Sequence, residues 1–408
     1  MLDFAERLDE LESKGLRRRL RVIDGPQGPE VRLDGRSVLL LCSNNYLGLA
    51  DHPRLRRAAA DTALGLGTSS GASRLISGSM SIHGDLEAKL AEFEGTEAAL
   101  LFGSGYLANT GAIAALAGRG EVVFSDELNH ASIIDGCRLA HAETFVYRHR
   151  DTEHLEWGLR RVAGRAALIV TDGVFSMDGD VAPLAELAVL AGRHRCRLMV
   201  DEAHATGCLG PGGRGSVAAA DLIDEVDLIV GTLGKALGGY GAYACGSRRM
   251  TDFLLNTARP FIFSTAPPPP AVAAAAAALE LLTECPKRVE RLRANAAALR
   301  EGLRSEGLEP IGSDTQIIPL VVGEADDAMA LCERLLGEGI FAQAIRPPTV
   351  PPGTCRLRLT VMATHRVSDL RHATQRIAAA CEEMGLVAAT SDRPAAAATP
   401  VPELRQAA

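Results

Sequence analysis

The chain has 408 residues, and its 43 lysines and arginines against 51 aspartates and glutamates give a formal net charge of −8. A hydrophobic fraction of 47% and a charged fraction of 23% are typical of globular proteins, so wholesale disorder is excluded. The mild acidity argues against nucleic acid as a partner, because nucleic-acid-binding surfaces normally carry a basic stripe. By length alone, the chain is expected to form two or three domains.

Targeting signals and disulfide patterns are not evident in the sequence. The N-terminal segment mixes acidic and basic residues and lacks the apolar run of a signal peptide. The most apolar stretch, residues 271–282, is mostly alanine and too short to span a bilayer. Nine cysteines are scattered without C-x-x-C spacing, and an odd count fits reduced thiols better than a disulfide framework or a zinc site. We therefore expect a cytoplasmic protein with no membrane partner and no bound metal.

An N-terminal segment, residues 1–45, is expected to precede a large domain at residues 46–288. Leu86, Leu90 and Phe93 recur at helical spacing, and Gly95 should end that helix. Short apolar segments then alternate with helical patterns, at residues 99–105, 121–126, 166–172, 196–202 and 227–232. Strands that are apolar on both faces and separated by helices indicate an α/β fold with a parallel sheet covered by helices on both sides.

The pattern changes towards the C-terminus. Four consecutive prolines at 267–270 precede a long alanine-rich helix. Beyond them, helices alternate with strands such as 317–323 and 356–362, which predicts a smaller C-terminal domain at residues 289–387. Residues 388–408 are rich in alanine and proline without periodicity, so a disordered tail is expected there.

Polar residues and glycines bunch directly after the strands of the large domain. The clusters read GSGY, SDELNHAS, TDGVFSMDGD, DEAHATG and GTLGK. In an open α/β sheet, ligands bind at the carboxyl ends of the strands. We therefore expect these five clusters to converge on one site.

Two of these clusters contain residues typical of pyridoxal 5′-phosphate (PLP) chemistry. Lys235 follows a buried strand and has glycines on both sides, which let the backbone approach a ligand. It is a candidate Schiff-base former, with a plain surface lysine as the alternative. Asp201 ends the preceding strand, where a carboxylate can keep a pyridine nitrogen protonated and make the ring an electron sink. His204, three residues further on, could contact the phenolic oxygen of the cofactor.

Two other clusters could bind the phosphate and the ring of such a cofactor. The turn at residues 103–106 joins a strand to a helix that begins near Ser104, and a helix N-terminus suits a phosphate dianion. Such turns are common, so this observation alone is weak. Thr232 offers a hydroxyl three residues before Lys235. His130 follows the strand at 121–126 and could stack on a cofactor ring, although a structural role is the alternative.

Taken together, the motifs resemble the α-oxoamine synthases, a branch of the fold-type I PLP enzymes, from about Arg17 to Cys381. Six motifs stand in the order and spacing of that family: SNNYLGLADHP, GSGYLAN, DELNHASIIDG, VTDGVFSMDGDVAPL, VDEAHATG and GTLGKALGG. The resemblance implies a large domain with a mostly parallel, seven-stranded type of sheet between helices, and a smaller α+β C-terminal domain. One departure is the acidic pair Asp201–Glu202, where other members have two aspartates.

The resemblance also implies roles for individual residues. Lys235 would hold PLP as a Schiff base and remove the α-proton of the amino acid, and Asp201 would pair with the pyridine nitrogen. His204 and Ser176 would contact the phenolic oxygen region, and His130 would stack on the ring. Phosphate contacts are implied for Gly105, Tyr106 and Thr232 and, from the second subunit of a homodimer with active sites at its interface, for Ser264 and Thr265.

The substrates implied are those of one branch of the family. The run AIRPPTVPPGTCRLRLT, residues 344–360, resembles the member that condenses L-alanine with a pimeloyl thioester and releases carbon dioxide and the carrier thiol. Arg17, in GLRRRL, would bind the distal carboxylate of the acyl chain, and Thr349 would contact substrate. Arg356 or Arg358, with Arg358 favoured, would bind the carboxylate of the amino acid. The acyl carrier stays open between coenzyme A and an acyl carrier protein.

Three alternatives stay open at this point. A related synthase would use glycine or serine with another acyl-CoA. An aminotransferase of the same fold would exchange amino groups between two amino-acid and keto-acid pairs. A cofactor-free partner subunit would lack the active-site lysine, which Lys235 supplies here.

Overall fold

The computed structural model describes residues 3–13, 16–18, 20–162 and 164–386, so the expected disordered tail at 388–408 lies outside the described residues. Within the described part of the chain, no helix is long and apolar enough to cross a membrane. The strands in these residues are β1 Ile23–Asp24, β2 Glu30–Leu33, β3 Arg36–Leu40, β4 Ala98–Phe102, β5 Val122–Asp126, β6 Glu143–Tyr147, β7 Ala166–Asp172, β8 Arg197–Asp201, β9 Leu228–Thr232, β10 Ala242–Gly246, β11 Ile317–Gly323, β12 Ile340–Phe341, β13 Gln343–Ile345 and β14 Cys355–Thr360.

The α-helices in the same residues are α1 Phe4–Ser13, α2 Pro53–Leu66, α3 Ser81–Glu94, α4 Gly105–Leu116, α5 Ala131–Ala140, α6 Thr152–Arg161, α7 Leu184–His194, α8 Ser216–Ala219, α9 Arg248–Thr257, α10 Arg259–Ile262, α11 Pro269–Glu284, α12 Lys287–Ser305, α13 Ala325–Gly337 and α14 Val367–Glu383. A π-helical turn lies at Arg74–Gly78 and a 3₁₀ turn at Pro211–Gly213.

The chain divides into two compact units. Of the described residues, the larger unit contains 44–176 and 180–293, and the smaller unit contains 3–43, 177–179 and 294–386. Residues 1–45 were predicted to form a segment of their own, whereas in this division the described residues up to 43 belong with the C-terminal part of the chain.

The larger unit is built on a seven-stranded sheet in the order β4-β10-β9-β8-β7-β5-β6. Only β10 pairs antiparallel to its neighbours β4 and β9, and the other pairings in this sheet are parallel. The predicted mostly parallel α/β sheet is therefore confirmed. Strands β6 and β10 of this sheet were not predicted from the sequence.

Local signals in the sequence account for several helix ends of this unit. Gly95 ends α3 in the left-handed conformation, with φ of 78°, as predicted. Ser104 caps α4, because its side chain accepts a hydrogen bond from the Leu107 N–H at 3.3 Å. Pro269 begins α11, where a proline is tolerated because the first N–H groups of a helix have no partner within it.

Two small sheets form the smaller unit. One has the order β1-β2-β3-β12, with β12 parallel to β3, and the other is the antiparallel sheet β11-β14-β13. The first sheet buries an apolar face that includes Val31, Val38 and Leu40. Together with helices α13 and α14, these sheets give the α+β character that the sequence predicted.

Candidate active site

Lys235 lies just beyond the carboxyl end of β9, and its side chain is half-buried. Its Nζ is 2.8 Å from Nε2 of His204. The turn that holds the lysine needs a glycine at position 238, where φ is 63° and a Cβ would lie 2.6 Å from the backbone of Leu49 and Ala50. Gly238 thus lets the turn after Lys235 lie directly against the backbone of Leu49 and Ala50.

His204 links Lys235 to a tyrosine. It lies beyond the end of β8 and is 7% exposed, and its Nδ1 is 2.7 Å from the hydroxyl of Tyr46. That hydroxyl is also 3.0 Å from Oδ1 of Asn44, to which it donates. The hydrogen-bond network is consistent when His204 carries its proton on Nδ1, donates to Tyr46 and accepts from Lys235 at Nε2. Tyr46 lies in the SNNYLGL motif, to which the sequence analysis gave no role.

Asp201 ends β8 and is 4% exposed. Its Oδ2 accepts a hydrogen bond from Nδ2 of Asn109 at 2.6 Å, and its Oδ1 accepts from the Ala203 N–H at 2.8 Å. The Asn109 amide, on α4, also donates to Ser132 at 2.8 Å. Sequence reasoning missed Asn109, although it stands in the GSGYLAN motif. The Asp201 carboxylate is therefore held in place by helix α4, which is distant from Asp201 in the sequence.

Glu202 explains the departure from the usual acidic pair. Its carboxylate accepts three hydrogen bonds at the start of α8, from the Ser216 N–H at 2.9 Å, the Ser216 hydroxyl at 2.7 Å and the Val217 N–H at 2.7 Å. Burial raises the pKa of Glu202 to about 7, although these hydrogen bonds act in the opposite direction. The Glu202 carboxylate thus binds the first N–H groups of α8.

His130 is the N-cap of α5, and part of its surface is open to solvent. Its backbone N–H donates to Asp172 at 3.0 Å, and its Nδ1 accepts from the Ser132 N–H at 3.3 Å. The protein packed around the ring lowers the pKa of His130 by desolvation, an effect opposed by the charge of Asp201 and reinforced by Lys235. The imidazole is therefore predominantly neutral near pH 7 and can donate a hydrogen bond from Nε2.

Asp172, which sequence reasoning did not single out, ends β7 and is 4% exposed. Burial and the negative charge of Asp201 raise its pKa well above the ordinary value.

The N-terminus of α4 offers an open cradle. A Cβ added at Gly105 would meet nothing within 4 Å, so space for a ligand adjoins the first N–H groups of the helix. The Tyr106 hydroxyl donates to Asp135. The backbone N–H of Tyr106 is therefore the group of this residue that could bind phosphate. Thr232 donates to the Gly241 carbonyl at 3.1 Å and accepts from the Gly234 N–H at 3.2 Å.

The chemistry of these groups fits PLP. A lysine amine, a buried carboxylate, a partly open imidazole and a helix N-terminus lie at the carboxyl ends of strands in one sheet. The remaining predicted cofactor residues belong to the same unit. Ser176 follows β7 and is half-buried, and Ser264 and Thr265 follow α10, with Thr265 exposed and bridged to Ser73.

The predicted substrate residues lie in the smaller unit. The Arg17 side chain is 41% exposed and pairs with Glu12 at 3.3 Å, and Thr349 is exposed. Arg356 and Arg358 are both buried and lie on one face of β14, because they are two residues apart in a strand. Arg356 forms an ion pair with Asp178. Its Nε donates to the Thr354 carbonyl at 3.0 Å.

Comparisons with known proteins place the fold. The family model of aminotransferase class I and II matches residues 36–377. A serine palmitoyltransferase variant from S. paucimobilis, solved with a bound PLP–myriocin aldimine, is 32% identical with a TM-score of 0.89, covering 94% of this chain and 98% of that chain. An 8-amino-7-oxononanoate synthase from Francisella tularensis is 27% identical with a TM-score of 0.74, covering 85% of this chain and 98% of that chain. Fold and site together define a fold-type I PLP-dependent enzyme.

Curated relatives narrow the family further. The relative from Geobacter metallireducens is 55% identical over 388 residues, covering 94% of this chain and 99% of its own. That from Citrifermentans bemidjiense is 53% identical over 390 residues, covering 95% of this chain and 100% of its own. Both are named 8-amino-7-oxononanoate synthase. The chain belongs to the 8-amino-7-oxononanoate synthases within the aminotransferase class I and II family, which confirms the resemblance found in the sequence.

Proposed function

We propose that the protein uses PLP to condense L-alanine with pimeloyl-CoA or pimeloyl-acyl carrier protein, giving 8-amino-7-oxononanoate, carbon dioxide and the free carrier thiol in biotin biosynthesis. The shared name of relatives that are more than half identical over nearly the full chain supports this product. The observation that carries the proposal is the 2.8 Å approach of Lys235 to His204 beyond the ends of β9 and β8. The PLP in the related serine palmitoyltransferase supports the same cofactor here.

Asp201, the N-terminus of α4 and Lys235 would together hold the cofactor. When bound, PLP supplies an electron sink that accepts negative charge from the α-carbon of the amino acid. Asp201, fixed by Asn109, would pair with the protonated pyridine nitrogen, and the N–H groups at Gly105 and Tyr106 would bind the phosphate. Thr232 would add a hydroxyl contact.

Lys235 would also move the proton of the substrate. Its amine would take the proton from the α-carbon of L-alanine, and His204 would keep that amine oriented through the 2.8 Å hydrogen bond. Tyr46 would hold His204 in turn. The neutral imidazole of His130 would stack on the cofactor and donate its Nε2 proton towards the acyl oxygen during condensation and decarboxylation.

Arginines would recognise the two carboxylates of the substrates. Arg358, which is buried on β14, would bind the carboxylate of L-alanine through charge-assisted hydrogen bonds. Arg17 would bind the distal carboxylate of the pimeloyl chain, and Thr349 would contact substrate. In a cytoplasmic homodimer with active sites at the interface, phosphate contacts from the second subunit would come from Ser264 and Thr265.

The test is turnover of the PLP-loaded protein with L-alanine, glycine and L-serine, each combined with pimeloyl-CoA, acetyl-CoA and palmitoyl-CoA. Thiol release and the mass of the product are measured, and pimeloyl-acyl carrier protein is compared with pimeloyl-CoA. We expect 8-amino-7-oxononanoate only from L-alanine and a pimeloyl thioester, and none from Lys235→Ala. Preferred turnover of glycine or serine with another acyl-CoA would overturn the substrate assignment. Stoichiometric pyridoxamine phosphate after mixing with L-alanine would indicate an aminotransferase.

The acyl-binding role of Arg17 has a matched control in its exposed neighbour Arg18. Arg17→Ala should raise the KM for the pimeloyl thioester at least tenfold, because it removes a charged hydrogen-bonding partner worth about 1.5–3 kcal/mol. Arg18→Ala should leave that KM close to the unmodified value. Equal kinetics of the two variants would remove Arg17 from the acyl site.

A further inference from the structure

His149 lies two residues beyond the end of β6, between two carboxylates. Its Nδ1 is 2.9 Å from Oδ1 of Asp126, and its Nε2 is 2.8 Å from Oδ2 of Asp180. The side chain is 19% exposed. Because carboxylate oxygens only accept hydrogen bonds, both ring nitrogens donate, and the ring is an imidazolium.

Asp126 organises the loop that leads to His130. Its Oδ1 accepts from the Leu128 N–H at 2.9 Å, and its Oδ2 accepts from the Arg150 N–H at 2.9 Å. The Asn129 N–H donates to the Asp126 carbonyl at 3.2 Å. The path of the chain from the end of β5 to His130 therefore depends on the position of this carboxylate.

Asp180 closes the hairpin that presents Ser176. Its carbonyl accepts from the Phe175 N–H at 3.0 Å, and the adjoining residues Val174 and Val181 form an antiparallel bridge. The ring of His149 also packs edge-on against Phe175, with centroids 4.4 Å apart at 90°. One imidazole thus contacts both sides of the hairpin at its base.

The charges around His149 favour the protonated ring, which bonds Asp126 and Asp180 at the same time. Burial lowers the pKa of His149, but the hydrogen bonds and charges of Asp126 and Asp180 outweigh it and raise the pKa to about 10. Burial also acts against the charged form of Asp180, but the imidazolium and Arg150 lower its pKa below the ordinary value. The guanidinium of Arg150 lies 3.2 Å from Asp180, and the carboxylate of Glu127 accepts a hydrogen bond from the His149 N–H at 2.9 Å.

We propose that His149 is a positioning residue, whose imidazole joins the loop that presents His130 to the hairpin that presents Ser176. The importance of this link for catalysis rests on the proposed function, since that function gives His130 and Ser176 their roles at the cofactor. A displacement of about 1 Å at reacting groups is enough to slow a reaction about a hundredfold. The reaction therefore depends on His149 through these two side chains, although His149 itself is not assigned a contact with substrate.

The experiment compares His149→Phe, which keeps an aromatic ring against Phe175 but removes both donors, with His149→Gln, which keeps one donor. His141→Asn is the matched control, because His141 is exposed and asparagine tolerates its positive φ of 56°. Hydrogen exchange is measured in the apoprotein over residues 126–130 and 174–182. For the PLP-loaded protein, the kinetic constants and the pH midpoint of the visible absorption band are measured.

We expect exchange in both segments to accelerate at least tenfold in His149→Phe and less in His149→Gln, with β9 unchanged. The kcat should fall about 10- to 100-fold, and the pH midpoint should shift, in the same order of variants. His141→Asn should match the unmodified protein. Uniform acceleration across the sheet, or faster exchange in one segment alone, would overturn the link.

A variant that accelerates exchange in both segments yet keeps its kcat and pH midpoint would overturn the link to catalysis. The exchange measurement needs neither cofactor nor substrate, so it stands even where the proposed substrates are wrong. Should His149→Phe not fold, His149→Gln and Asp180→Asn provide the same comparison, since each removes one side of the bridge.

Discussion

Replacing Tyr46 with phenylalanine removes a single oxygen atom that lies in the interior next to His204. The Tyr46 ring is fully buried, and its hydroxyl is bonded to Nδ1 of His204 at 2.7 Å and to Asn44 at 3.0 Å. Asn44 is only half-buried, so its side chain can form a hydrogen bond with water instead. Nδ1 of the buried His204 cannot replace its lost partner in this way. An unsatisfied buried donor costs about 1–3 kcal/mol, which is the expected loss in the free energy of unfolding.

Tyr46→Phe should also slow the reaction, because His204 orients the amine of Lys235. His204 would lose the partner that sets its proton on Nδ1, so the hydrogen bond between His204 and the lysine amine would be less well oriented. We expect kcat to fall about tenfold or more, which corresponds to about 1.4 kcal/mol, with a smaller change in the KM for L-alanine. Urea unfolding of the apoprotein and steady-state kinetics of the PLP-loaded protein measure the two effects separately.

Tyr147→Phe is the control for this substitution. Tyr147 is 1% exposed, and within the described part of the chain its hydroxyl has no hydrogen-bond partner. The hydroxyl of Thr171, its neighbour, donates to the Asp172 carbonyl instead. Tyr147→Phe should therefore keep or raise the stability, because a buried unpaired hydroxyl is itself costly. If Tyr46→Phe proved as neutral as this control in both assays, the link from Tyr46 to Lys235 would be refuted.

Four further substitutions test other parts of the structure. Burial raises the pKa of Glu94 from 4.5 to about 8, so its contribution to stability is complete below pH 4.5 and is lost as the pH rises through 8. Urea unfolding of Glu94→Gln should show a pH dependence flatter by up to about 1.4 kcal/mol per pH unit, and an unchanged slope would contradict this. Gly231→Ala would overlap the buried ring of Tyr243 and should lower the free energy of unfolding by about 3 kcal/mol or more, whereas wild-type stability would disprove the overlap. Arg358→Lys should raise the KM for L-alanine about tenfold and Arg356→Lys should mainly lower the melting temperature, and the reverse result would exchange their roles.

The residues at strand ends were the most predictable part of the site. Lys235 and Asp201 follow apolar runs that could only be buried strands, and the carboxyl ends of such strands meet at one edge of a sheet. The two strands of the seven-stranded sheet that sequence reasoning missed have weaker patterns: β6 is an edge strand with mixed burial, and β10 is a short run of mostly small residues. A pattern along the chain says nothing about partners that fold from far away, as with Asn109, which is 92 residues from the carboxylate it holds.

The parallel pairing of β12 with β3 has a consequence for the order in which the protein can be made. Ile340 pairs with Leu39, roughly 300 residues earlier in the chain. At about 5–20 residues per second, a ribosome would need about 15–60 seconds to synthesise the intervening residues. Nearly all of the seven-stranded sheet and its helices would emerge during that interval, while the apolar face of β3 waits for its partner. We therefore expect nascent chains stalled before residue 340 to aggregate more readily than the complete chain, because the apolar face of β3 is still without its partner.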